Sequence, residues 1–153
     1  MQTLESNLVP EKTTSELADA CAGMGWEVVE HDFSLFGFDD PPGAFELECL
    51  RAGPAQLVSE GGETTLLTRA EHEPRILRDH PTARVERELV WIRFRNPMAW
   101  DLVGFLSLVT TELARAGVPL GCVCGFSRDH LFIARRYLDP ARAVLSKLFP
   151  QQA

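Results

Sequence analysis

The sequence predicts an α+β protein, an antiparallel sheet that carries its helices on one face. Three observations lead there. Residues 88–148 read as strand, helix, strand, strand, helix, each with its own boundary signal. Several short segments are rich in β-branched and aromatic residues and are bounded by Gly, Pro or Asn, as strands are. One longer segment, residues 102–116, repeats apolar side chains at three- and four-residue spacing, the pattern of a helix laid on a core. A sheet with helices on one face packs these elements, and split βαβ connections are right-handed.

Thr13-Thr14-Ser15-Glu16 has the capping-box pattern, with Thr13 as N-cap. Leu17, Ala20, Cys21 and Met24 follow at helical spacing, and Gly23 and Gly25 offer a stop. Residues 26–33 read as a strand, with Val28 between charged neighbours. Residues 36–43 hold Gly37, two aspartates and Pro41-Pro42, which predicts a linker or long loop and the main boundary of the chain. Phe45-Glu46-Leu47-Glu48-Cys49-Leu50 alternates as a half-buried strand should. Residues 56–59 and 64–68 are two more strands, parted by Gly61-Gly62, which takes positive φ without penalty. Residues 70–79 predict a short polar helix, with His72 and His80 at the surface.

Residues 88–95 form a strand that Asn96-Pro97 ends. Asp101 is the predicted cap of the helix 102–116, and Gly117 closes it. Residues 119–126 and 130–134 are two strands around a turn at Ser127-Arg128-Asp129. Asp139-Pro140 opens a last helix, running to about Leu148. The first part, from residue 45, reads as a degenerate copy of the second.

The chain of 153 residues carries 22 acidic and 15 basic side chains, a net charge of −7. Such a surface repels phosphate backbones and anionic lipid, so neither nucleic acid nor a membrane is an expected partner. The opening MQTLESNLVPEKTTSE bears acids and no apolar core, unlike a secretory signal. The longest charge-free runs, 102–111 and 116–127, fall short of the ~18 residues of a membrane span. Four scattered cysteines read as reduced thiols, which predicts a cytoplasmic protein.

Cys122 and Cys124 share one strand face, and His130 begins the returning strand, so a three-ligand zinc site is conceivable. C-x-C is not the usual zinc spacing, and cysteine on a buried strand is a small core residue, which is the expectation here; no metal or cofactor is expected. Asp129-His130 has the composition of an acid–base pair, against the plainer reading of a turn former beside a strand residue. No nucleophile motif or phosphate loop is present, and no catalytic residue is assigned. The strongest site candidate is the loop 96–104, where the amides of Leu102, Val103 and Gly104 open a helix N-terminus that favours an anion. Its alternative is a capped helix with nothing bound, Asp101 being the cap. Trp91 and Trp100 are expected in the core and in loop packing, and Arg135-Arg136 on a solvated edge.

Gly125-Phe126-Ser127-Arg128-Asp129-His130-Leu131-Phe132-Ile133, preceded by Ala114-Arg115-Ala116-Gly117-Val118, resembles the ACT-domain family. It is similar to the small bacterial ACT proteins of the aspartate kinase and CASTOR-like type, with Phe126 where tyrosine is usual. Val103-Gly104-Phe105 matches the family's helix start, and Glu60-Gly61-Gly62-Glu63-Thr64-Thr65-Leu66-Leu67 resembles its earlier hairpin. The resemblance covers roughly residues 45–148.

It implies a ferredoxin-like βαββαβ fold in tandem, intertwined units that dimerise side by side. Residues 1–44 would be an N-terminal extension of helix, strand and linker, 45–87 a degenerate first ACT-like unit and 88–150 a second. The implied function is a non-enzymatic sensor of a small molecule, an amino acid above all, bound between units. Its site would comprise Asn96, Met98, Asp101, Leu102, Val103, Gly104, the strand start Val118 and Pro119, and Asp129. Two other readings compete: a ligand-free interaction module, and a small metal enzyme built on Cys122, Cys124 and His130.

Overall fold

The computed structural model describes residues 11–150. Its helices are α1 (Glu11–Ala22), α2 (Ala44–Ala52), α3 (Glu73–Asp79), α4 (Phe105–Arg115) and α5 (Leu138–Leu148). Its strands are β1 (Trp26–Val28), β2 (Phe33–Phe38), β3 (Gln56–Glu60), β4 (Glu63–Arg69), β5 (Arg84–Phe94), β6 (Gly121–Cys124) and β7 (Asp129–Ala134). They form one antiparallel sheet in the order β3-β4-β2-β5-β7-β6, with β1 also beside β5. The long β5 is the spine. Its first part pairs with β2 and its last part with β1, on the side away from β7. None of the described helices is long and apolar enough to cross a membrane.

The helices share one face. Phe36, Phe38 and Leu66 meet Cys49 of α2 and Ile76 of α3. Val90, Ile92, Phe94, Leu131 and Ile133 meet Val109 and Leu113 of α4 and Ala141 and Leu145 of α5. Phe94, Phe105 and Phe149 close that core with edge-on ring contacts at 4.9 and 5.5 Å. The adjacent residues Phe33, Leu67, Leu89 and Trp91 point the other way and make a third cluster. A bulge lets β5 serve both helix groups on that face: Phe33 pairs with Leu89 but Leu35 with Glu86, and Glu88 sits at φ 56°. The extra residue brings Val85 and Val90 to the same face although their parity differs.

The second half follows the sequence prediction closely. Gly117, at φ 71°, donates to Ala114 O, and Val118 donates to Leu113 O, closing α4 with the paired bonds of a Schellman motif. Gly61 and Gly62 both hold positive φ in the β3–β4 turn, and residues 70–79 are helical as predicted. The last helix begins one residue before Asp139.

The first half corrects several expectations. The alternating stretch 45–50 is helix α2, not a strand. Its buried members, Glu46 and Cys49, are three apart, and the Glu46 carboxylate accepts from Gly43 N at 2.7 Å to start the helix. The stretch 36–43 is not all loop, because Phe36, Gly37 and Phe38 lie in β2, held between β4 and β5. The strand expected over 26–33 is broken around His31, at φ 99°. Thr13 is not the cap of α1, which already runs from Glu11. His80 is buried and His72 half-buried: Ile76 of α3 packs with Cys49 of α2 and Leu66 of β4, His72 meets Thr68 of β4, and His80 meets Glu46 of α2.

Candidate functional site

Residues 95–104 join β5 to α4, and residues 125–128 join β6 to β7. The two loops are tied together: Met98 N donates to Ser127 O, and Arg128 Nε donates to Arg95 O, both at 2.8 Å. Gly125 N donates to Arg128 O at 2.9 Å and squares off the hairpin. Between them opens a cavity of about 270 Å³. Met98, Leu102, Gly104 and Asp129 line it, together with Trp100 and Phe126. On the other side of residues 95–104 lies a cavity of about 500 Å³ facing α1, lined by Glu16, Asp19, Asn96, Asp101 and Leu102. Met98, Ala99 and Leu102 form the partition, since they line both.

Asp101 does not cap α4. The helix starts at Phe105, three residues later than predicted, with Gly104 in the cap position at φ 94°. The amide of Leu102 is not free either, because it donates to Ala99 O at 3.1 Å. The open amides of the helix start therefore belong to residues 105–107, all three of which line the smaller cavity. Gly104 packs against Leu17 of α1, where an added Cβ would stand 3.2 Å from Cδ2. Asn96 Oδ1 accepts from Gly25 N at 2.9 Å and fixes the loop's start.

The structure gathers Asn96, Met98, Asp101, Leu102, Gly104 and Asp129 around these two cavities. Val103 is exposed beside them. Val118 is buried in the helix-side core, and Pro119 lines a different cavity near Phe132 and Tyr137. Both precede β6, at the end away from the hairpin, so they do not reach the loop.

Cys122 and Cys124 are exposed on the edge strand β6, not core residues as expected, because no described strand lies beyond β6. Cys124 pairs with Asp129, and Val123 with His130, so His130 points to the opposite face from both thiols. The same alternation separates Asp129 from His130 and removes the acid–base pair. Burial pushes the Cys122 and Cys124 thiols up, and the Asp129 carboxylate adds to it. Burial pulls the His130 imidazole down, aided by Arg93, and its ring stands edge-on to Trp91 at 5.6 Å. Among the described residues, no three His, Cys, Asp or Glu side chains are placed to hold a metal.

Two features carried no sequence signal. Trp100 and Phe126 are 79% and 87% exposed, where Trp100 was expected to pack its loop. Glu46 and His80 form a buried polar pair, with Asp40 on its outer side.

No protein-family model matches the sequence, and no curated protein matches it. Solved structures do. A protein from Agobacterium tumefaciens is similar at TM-score 0.69 and 17% identity, over 85% of this chain and 90% of that one. A protein of unknown function from Vibrio cholerae, described as a possible transport protein, is similar at TM-score 0.64 and 19% identity, over 90% and 96%. The ligand-free regulatory subunit of aspartate kinase from Thermus thermophilus is similar at TM-score 0.62 and 11% identity, over 84% and 98%. At these identities the likeness concerns the fold, and the chain has the ACT-type fold of the aspartate kinase regulatory domains.

Proposed function

We propose that this chain is a non-enzymatic regulatory module that binds a small molecule, an amino acid in the first instance. The carrying observation is that residues 95–104 separate two cavities, one against the β6–β7 hairpin and one against α1. A ligand on the hairpin side changes what the loop presents to α1, and a ligand shifts populations only through such a differential contact.

The strand order supports two intertwined βαββαβ units. In the first, β2, α2, β3, β4, α3 and the start of β5 give the spatial order β5-β2-β4-β3. In the second, the end of β5, α4, β6, β7 and α5 take β1 as fourth strand, in the order β1-β5-β7-β6. The first unit, expected over residues 45–87, thereby gains β2, and the second, over 88–150, gains β1. A homodimer in the cytoplasm completes the reading, supported by the free thiols and by sheet edges, such as those of β3 and β6, that no described strand covers.

The test is thermal unfolding of the protein with each amino acid, with nucleotides and with zinc. A ligand at a hundred times its Kd adds about 2.7 kcal/mol, a shift of several degrees. A shift that Asp129→Asn removes supports the sensor. Silence across the panel favours a ligand-free interaction module, the second reading. Leu47 and Leu50 of α2 and Val58 of the edge strand β3 support that alternative, being exposed apolar side chains of neighbouring elements.

A further inference from the structure

We infer that the cavity between residues 95–104 and the β6–β7 hairpin selects a free α-amino acid with a large apolar or aromatic side chain. This rests on the regulatory reading and names its ligand class. Trp100 and Phe126 both line the cavity and are almost wholly exposed. Large aromatic side chains left in water at one opening mark a surface that a ligand or partner covers. Behind them Met98, Leu102, Phe105 and Leu106 give an apolar floor.

The cavity's charged lining is one base and one acid, Arg128 and Asp129. They form no ion pair with each other among the described residues, and Arg128 spends only its Nε, on Arg95 O. Its terminal nitrogens suit a carboxylate, and Asp129 suits an ammonium. Once Asp129 holds the α-ammonium, no second acid in the lining remains for a cationic side chain, and no second base for an anionic one. At about 270 Å³ the space is smaller than the ~300–1,000 Å³ of drug-sized pockets, which suits one amino acid and excludes a dinucleotide.

Trp26 and Trp91 are buried, so iodide quenching of tryptophan fluorescence reports chiefly on Trp100. The experiment titrates the full chain with L-phenylalanine, L-leucine, L-lysine and L-aspartate, and reads both iodide quenching and the unfolding temperature. Phenylalanine and leucine are expected to shield Trp100 and raise the unfolding temperature, and lysine and aspartate to do neither. Phe126→Ala, on the exposed turn, is expected to weaken phenylalanine binding at least tenfold while leaving the ligand-free unfolding temperature unchanged. A response to lysine or aspartate with phenylalanine and leucine silent overturns the ligand class and leaves the regulatory reading standing. Silence with these four overturns the ligand class, and silence of the whole thermal-unfolding panel overturns the regulatory reading as well. Shielding of Trp100 that grows with protein concentration and without ligand makes the aromatic pair a contact between copies, and overturns the assignment.

Discussion

The Nε2 of His80 lies 3.2 Å from Oε1 of Glu46, with the two residues 8% and 2% exposed. The other Glu46 oxygen accepts from Gly43 N, the other His80 nitrogen lies 3.3 Å from Asp40, and the ring stacks on Phe38 at 3.9 Å. One carboxylate thus ties the start of α2 to the residue that follows α3. Removing it leaves the Gly43 amide without its acceptor and the His80 ring without its buried partner, so Glu46→Ala should cost about 2–3 kcal/mol. Asp40→Ala removes a solvent-facing partner and should cost under about 1 kcal/mol. Urea denaturation of both variants checks this, and a Glu46→Ala protein as stable as the parent would refute it.

Gly104 and Asp101 exchange the importance that their sequence positions suggest. Gly104→Ala must hold φ 94° and press on Leu17, so a loss of about 1–2 kcal/mol is expected. Asp101→Ala should change stability by less than about 0.5 kcal/mol, the ordinary surface range, because it caps nothing. A larger loss at Asp101 than at Gly104 in the same unfolding assay would restore the capping role.

Thiol accessibility follows strand position. Cys122 and Cys124 should react with an aromatic disulfide reagent in the folded protein, and Cys49, on the buried face of α2, only on unfolding. Both thiols are pushed up, by partial burial first, then by Asp129 at Cys124 and by Cys124 and Asp129 at Cys122, so labelling should quicken about tenfold per pH unit through the neutral range. Asp129→Asn should speed labelling of Cys124 at fixed pH. Stopped-flow absorbance with mass-spectrometric assignment of the labelled residues decides it.

Acid stability should depend on Glu27. Its carboxylate accepts from Arg93 Nε at 2.7 Å and Arg95 Nε at 3.0 Å, and Arg93 chiefly holds it below its ordinary value of 4.5. A carboxyl depressed in the folded state binds its proton more readily when unfolded. Its contribution is therefore complete above the ordinary value and is lost as pH falls through the lower, folded one. The unfolding temperature of the parent should fall more steeply with acid than that of Glu27→Gln, and parallel curves would count against the linkage.

The legible parts of the fold are those whose signals are local. Gly61-Gly62, Gly117 and the apolar stripe of α4 each act within a few residues; the two glycine signals stand where predicted, and the stripe gives its helix from Phe105 instead of Leu102. Residues 45–50 carried two periods at once, alternation along the letters and the three-residue step from Glu46 to Cys49. The helical step buries Glu46, and its partner His80 stands 34 positions away, beyond the reach of local pattern. The candidate site was half legible for the same reason. Asn96, Met98, Leu102 and Asp129, on a loop and a hairpin that announce themselves, meet around the two cavities, whereas Val118 and Pro119 are adjacent in sequence to α4 and β6 but lie in the core and at the far end of the strand.

The sequence by itself determined the α+β class, the turns, and the order of elements from β5 onward, because capping, turn conformation and amphipathic period are set between near neighbours. Only the tertiary structure decided that β1 runs beside the end of β5, that β6 is left as an edge with its thiols in water, and that Trp100 and Phe126 face one cavity. Those outcomes depend on which distant segments meet, and strand pairing and burial are properties of the packed whole.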